Sequence, residues 1–187
     1  AFINIFLSIY MNFRIQKGDS KFENLRLIGL AFAAFGGTTF SGANLASATF
    51  AHVQLRSTNF ADSRQRSTVL NRTRWHGAEQ LARARPGPST LQDPRVRNLL
   101  VTLNGVDQDL TKANLRGTNL AGAKLHRITL KGANLNGATL AGAELHGANL
   151  TEAQCVGTDF TAAQLTGACL EAWNIDYTTM LKDIDCQ

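Results

Sequence analysis

The feature that most constrains this chain is a strict period of five. From residue 110 to 180 every fifth residue is apolar: Leu110, Leu115, Leu120, Leu125, Leu130, Leu135, Leu140, Leu145, Leu150, Cys155, Phe160, Leu165, Leu170, Ile175 and Met180. Two residues before each centre stands Ala or Thr in twelve of the fifteen cases, with Gln108, Ile128 and Trp173 as exceptions. Two residues after it stands Gly in eight cases, among them Gly117, Gly137 and Gly142. The same grid runs earlier through Phe40, Leu45, Phe50, Leu55, Phe60, Leu70 and Trp75, broken only at Gln65. Neither a helix (3.6) nor a flat strand (2) has this repeat. A chain that turns a corner every five residues does. One large and one small side chain then point inward on each side while three point out, and four sides close a coil of 20 residues. Successive coils pair through the backbone at the β-spacing of about 4.8 Å. The expected fold class is therefore an all-β solenoid.

Units such as Ala113-Asn114-Leu115-Arg116-Gly117 and Ala133-Asn134-Leu135-Asn136-Gly137 resemble the A-[DN]-L-x-x unit of the pentapeptide-repeat family. The resemblance covers 23 units, eight in residues 36–77 and fifteen in 106–182. It implies a right-handed quadrilateral β-helix. Stacking at 20 residues puts Asn114, Asn134, Gln154 and Asn174 in one outward column, expected to act as a ladder. Another column holds Lys124, Glu144 and Gln164, with Lys124 and Glu144 as neighbours of opposite sign.

The grid divides the chain into a first β-helix block over 36–80, an insertion over 81–105 and a second block over 106–187. Ser20 and Glu23 form a capping-box pattern, and Phe22, Leu25, Ile28, Phe32 and Phe35 share a face. A helix over about 20–34 within segment 18–35 is expected to cap the first coil. In the insertion, Asp93-Pro94 reads as an N-cap with Pro at the first helical position. A short helix over Arg95–Leu103 follows, ended by Asn104-Gly105, with Val96, Leu99, Leu100 and Leu103 packed on the coil wall. Residues 1–17 are apolar up to Phe13 and then basic. That pattern reads as the end of a transmembrane helix with its positive side in the cytoplasm; a packed or swapped amphipathic end is the alternative. With Phe35-Gly36-Gly37, Trp75-His76, residues 91–97 and the closing run 166–175, the chain resembles cyanobacterial membrane-attached pentapeptide-repeat proteins. That group includes a type implicated in heterocyst glycolipid placement.

Charge is polarised. Residues 1–105 carry a balance of +8 and residues 106–187 one of −3. Arg64, Arg66, Arg72, Arg74, Arg83, Arg85, Arg95 and Arg97 cluster against only Glu79 and Asp93. The cluster reads as a solvated face or as a patch for an anionic membrane surface or acidic protein. Trp75 alone interrupts it, which argues against nucleic acid. No phosphate-binding glycine loop, nucleophile elbow or zinc-ligand spacing occurs, so no catalytic residue, metal or cofactor is expected. His126 and His146 should stack outward about 5 Å apart. Cys155 reads as a core thiol, a Cys169–Cys186 bridge stays open, and Gln65 reads as a place where the chain turns outward.

These features point to a non-enzymatic scaffold or interaction module on the cytoplasmic face of a membrane, or in the cytoplasm. It could serve in envelope glycolipid placement or assembly, and could pair as a homodimer through its C-terminal coil. The competing function is a DNA-mimicking topoisomerase inhibitor, which the basic first half opposes.

Overall fold

The computed structural model describes residues 37–186. The apolar segment 1–17 and the helix expected over 20–34 lie outside the described residues. The rest is a right-handed quadrilateral β-helix, built as the period of five requires. Each side is a single bridge residue followed by its inward centre, and every bridge is parallel. In the second block the register is 20 residues from Asn104↔Lys124 through Gln154↔Asn174. Four columns result. Side 1 carries Asn114, Asn134, Gln154 and Asn174; side 2 carries Asn119, Thr139 and Asp159. Side 3 carries Asn104, Lys124, Glu144 and Gln164; side 4 carries Asp109, Thr129, Asn149 and Cys169.

Hydrogen bonds in the wall run from coil to coil. Leu115 N donates to Asn134 O and Asn134 N to Ala113 O, and this pair of bonds recurs on each side. Corners close with a residue in the left-handed region two places after the centre. Gly142 takes φ +66° there, and Glu152, without a glycine's freedom, takes φ 58° at an equivalent corner. The amides do not form the expected ladder. Asn114 Oδ1 accepts from Arg116 N, Asn134 Oδ1 from Asn136 N and Asn149 Oδ1 from Thr151 N, so each Asn turns back to close its own corner.

The interior is apolar. Leu110 through Phe160 at the central positions are fully buried, as are Ala123, Ala133, Ala143 and Ala153 at the small ones. Where Thr replaces Ala, its hydroxyl is satisfied: Thr158 Oγ1 donates to Leu135 O at 2.8 Å and Thr118 Oγ1 to Leu115 O at 2.7 Å. The expected core does not extend to the last coil. Leu170 is only partly buried and Ile175 is 37% exposed, because no described coil stacks beyond them. The grid also slips by one residue there. Asp159 pairs with Met180 at a spacing of 21, so Met180 sits on the wall, 44% exposed, instead of inside. Thr179 takes the small inward place and donates to Cys155 O, as Thr158 does to Leu135 O one coil earlier.

The first block departs further. Thr39↔Asn59 keeps the spacing of 20, but Asn44↔Val69, Thr49↔Arg74 and Gln54↔Glu79 are 25 apart and Asn59↔Arg85 is 26. The five surplus residues leave the wall as a loop at Gln65. Thr68 pinches its neck, with its amide donating to Asp62 Oδ1 (2.7 Å) and its hydroxyl to Ala61 O (2.8 Å). The one-residue surplus falls where Gln80 turns left-handed and Leu81 supplies the buried side chain. Pairing thus continues to Arg85, through a 3₁₀ turn at Leu81–Arg83.

Helix α1 spans Pro94–Thr102, with Asp93 Oδ1 accepting from Arg95 N at its start. It ends on Leu103 in the left-handed conformation, and not on Asn104-Gly105. Gly105 instead falls on a central position of the grid. A Cβ there would meet Ile128 Cδ1 and Leu125 Cδ2 at 2.9 Å and Leu99 Cδ1 at 3.0 Å. The helix therefore supplies, through Leu99, the apolar volume that residue 105 lacks, and Ile128 fits a small position because residue 105 has no side chain. Val96, Leu99 and Leu100 join one apolar cluster with the coils of both blocks. The blocks share one register: Arg72 N donates to Gly117 O and Gly77 N to Val101 O, so the corner after Leu70 rests on the corner after Leu115.

Candidate functional site

The register shows where each expected residue lies. Arg83 and Arg85 sit at the approach to side 4 and on it, and Arg95 reaches the same side by donating to Asp109 O. Arg64 and Arg66 stand on the extruded loop between sides 4 and 1. Arg72 is at the corner after side 1 and Arg74 on side 2. The eight arginines therefore form a belt around the first block and α1, not one flat patch. Arg95 pairs with Asp93 (2.8 Å) and Arg97 donates to Leu91 O. Partial burial works against ionisation of Asp93, but its hydrogen bonds with Arg95 outweigh that and hold its carboxyl below the usual range. Arg64, Arg66, Arg74, Arg83 and Arg85, together with Arg56, make no ion pair or side-chain hydrogen bond among the described residues.

His126 and His146 stack as expected, with ring centroids 5.1 Å apart and planes 15° from parallel. Their outer nitrogens are occupied by neighbours 18 residues on. His126 Nε2 lies 2.6 Å from a Glu144 carboxylate oxygen and His146 Nε2 2.7 Å from Gln164 Oε1. Glu144 thus faces His126, and no Lys124–Glu144 ion pair forms among the described residues. Burial pushes the Cys155 thiol up to about 12, which leaves it an unreactive core group. Cys169 and Cys186 are both free. No cluster of three metal-ligating side chains occurs among the described residues.

Sequence reasoning missed a groove. At the corner after side 1, a cavity of about 390 Å³ is lined by Asn71, Arg72, Arg116, Gly117, Asn136, Gly137 and Val156. It joins the two blocks across 45 residues of sequence, and only the register through the insertion brings Arg72 beside Arg116.

The family described as pentapeptide repeats matches residues 24–62, 107–137 and 138–172, in 8 copies. The chain belongs to the pentapeptide-repeat family. Proteins of this family are generally non-enzymatic. Among solved structures, the chain is similar to the pentapeptide-repeat protein Rfr23 from the cyanobacterium Cyanothece 51142. Identity is 22% over 76% of this chain and 90% of that one, with a TM-score of 0.38. It is also similar to HetL of Nostoc sp. strain PCC 7120, a pentapeptide-repeat protein involved in heterocyst differentiation regulation (22% identity, 79% and 61% covered, TM-score 0.23). A third is QnrB1, a plasmid-mediated fluoroquinolone resistance protein (15% identity, 80% and 79% covered, TM-score 0.24). No curated protein matches the sequence.

Proposed function

We propose that this protein is a non-enzymatic scaffold whose arginine belt docks on the anionic cytoplasmic surface of a membrane. One observation carries the reading. Five arginines around side 4, Arg56, Arg64, Arg66, Arg83 and Arg85, stand without a counter-charge among the described residues, as does Arg74 on side 2. Exposed cations near an anionic surface each contribute about 1 kcal/mol to binding. The sequence supports the same side for the membrane, since the apolar segment 1–17 precedes this block, with only segment 18–35 between them. No helix among the described residues is long and apolar enough to cross a membrane. A role in envelope glycolipid placement or assembly is the narrower form of this reading, and rests on the resemblance of the chain to cyanobacterial membrane-attached relatives. The exposed Ile175, Tyr177, Met180 and Leu181 of the last coil support the homodimer expected at that end.

The test is sedimentation of the full chain with vesicles of phosphatidylcholine alone or with phosphatidylserine. Binding only to the anionic vesicles, weakened by salt, is expected. Replacing Arg64, Arg66, Arg83 and Arg85 by Gln should lower affinity about fivefold for each charge lost. Equal binding to both vesicles would overturn the reading. The DNA-mimic alternative is opposed by the same belt, because a mimic presents rows of acids. Stoichiometric inhibition of gyrase supercoiling would restore it.

A further inference from the structure

We infer that the corner groove between the two blocks is a binding site for a phosphate group. Arg72 from the first block and Arg116 from the second line it, together with Asn71 and Asn136. The Asn136 carboxamide is engaged, its Oδ1 accepting from Val156 N at 2.9 Å and its Nδ2 donating to Gln154 Oε1 at 3.5 Å. No acidic residue lines it. Arg116 makes no ion pair and no side-chain hydrogen bond among the described residues, and Asn71 makes no side-chain hydrogen bond. Arg72 reaches across the groove with Nε 3.4 Å from Gly137 O, which leaves both of its terminal nitrogens free to donate. Its backbone is fixed, since Arg72 N donates to Gly117 O and Arg72 O accepts from Asn119 Nδ2. The floor is kept low by glycine. A Cβ on Gly117 would come within 2.8 Å of Asn71 Oδ1, whereas the space above Gly137 is open.

Two like charges held at one groove without a counter-ion call for an anion between them. Guanidinium forks and amide N–H groups suit an oxyanion with several acceptor oxygens, and a phosphate monoester offers the most charge in that shape. A free phosphate compound and a lipid headgroup present the same group, and the test separates these sources. The assignment deepens the reading of an anionic surface partner, by naming the group and the residues that would take it, yet it can fail alone.

The experiment uses the full chain and the variant Arg116→Gln, whose side chain is on the surface; Arg116→Lys keeps the charge without the fork. Inorganic phosphate is titrated at constant ionic strength, with chloride as control, and followed by NMR at the Arg116 guanidinium and the Asn71 and Asn136 carboxamides. Shifts with phosphate but not chloride are expected, weakened about tenfold or more by Arg116→Gln and partly restored by Arg116→Lys. No shift at these groups, or an unchanged response in Arg116→Gln, overturns the site. Vesicles of phosphatidylcholine with phosphatidic acid form the second arm. Weaker binding by Arg116→Gln, with competition by inorganic phosphate, assigns the groove to the headgroup. Unchanged vesicle binding with the NMR response intact assigns it to soluble phosphate. If the Arg64, Arg66, Arg83, Arg85 variant loses vesicle binding while Arg116→Gln keeps both binding and shifts, the groove is refuted and the belt stands.

Discussion

The two blocks follow the same rule of five and reach different interiors. The second is lined almost wholly by Leu and Ala, keeps a register of 20 as far as Gln154↔Asn174 and buries its centres completely from Leu110 to Phe160. The first is lined by aromatics. Phe40 stacks on Phe60 (centroids 5.6 Å) and Phe50 on Trp75 (5.0 Å), and the two stacks meet edge to face at 5.3–5.5 Å. Two facing columns of rings replace two columns of Leu. The coil tolerates them, but it sheds five surplus residues at Gln65 and one at Gln80. A uniform alternation of large and small residues thus holds the register, while a mixed one holds the core and lets the wall vary.

Four experiments would break or sharpen this comparison. The largest effects belong to the cores. Phe60→Ala removes a ring that touches three aromatics and should cost about 3–5 kcal/mol, whereas Leu135→Ala should cost about 2–5 kcal/mol. Urea unfolding monitored separately by tryptophan fluorescence and by amide exchange would show whether the first block loses protection before the second. Coincident loss for both variants would mean that α1 and the shared apolar cluster couple the blocks into one unit. Next comes Gly142→Ala. Nothing lies within 4 Å of the added methyl, so the expected loss of about 1–2 kcal/mol is backbone strain alone. The converse change, Glu152→Gly, should raise the melting temperature.

A smaller effect is expected at the junction. Asp93→Ala should destabilise by about 1 kcal/mol through loss of the α1 cap, while Asp93→Asn keeps the cap and should cost less. Because the Asp93 carboxyl is held below its usual value, its contribution is fully present above about pH 4 and is lost as pH falls through the folded value. The variant Asp93→Ala should lack that part of the acid transition. The smallest effect should follow deletion of residues 62–66, which restores the spacing of 20. The loop contributes only its neck bonds, so stability should change by less than about 1 kcal/mol, read from denaturant midpoints. A large loss would show that the loop is structural.

Most of the wall was legible in the sequence, because an inward residue every fifth position is a geometric necessity of a square coil. Gln65 and the Asp93-Pro94 helix start were legible for the same local reasons. Three things were not. Leu99 standing in for the side chain missing at Gly105 is a contact across the fold, and no local pattern announces it. Met180 keeps the written period although the chain has slipped by one, because the turn formed by Asp176 and Thr178 absorbs a residue without altering the spelling. The groove depends on the register between Arg72 and Gly117, which the 81–105 segment conceals. The arginines were visible, but their distribution around a belt follows only from the columns.

The spacing of the wall bonds has one more consequence. Coils add in steps of twenty residues and about 4.8 Å of height. Lengthening such a rod by a whole step moves its far end without rotating any column, and a fraction of a step must be expelled sideways, as at residues 62–66. Outward groups in one column therefore sit like marks on a rule, and a partner with its own repeat engages several of them together or none.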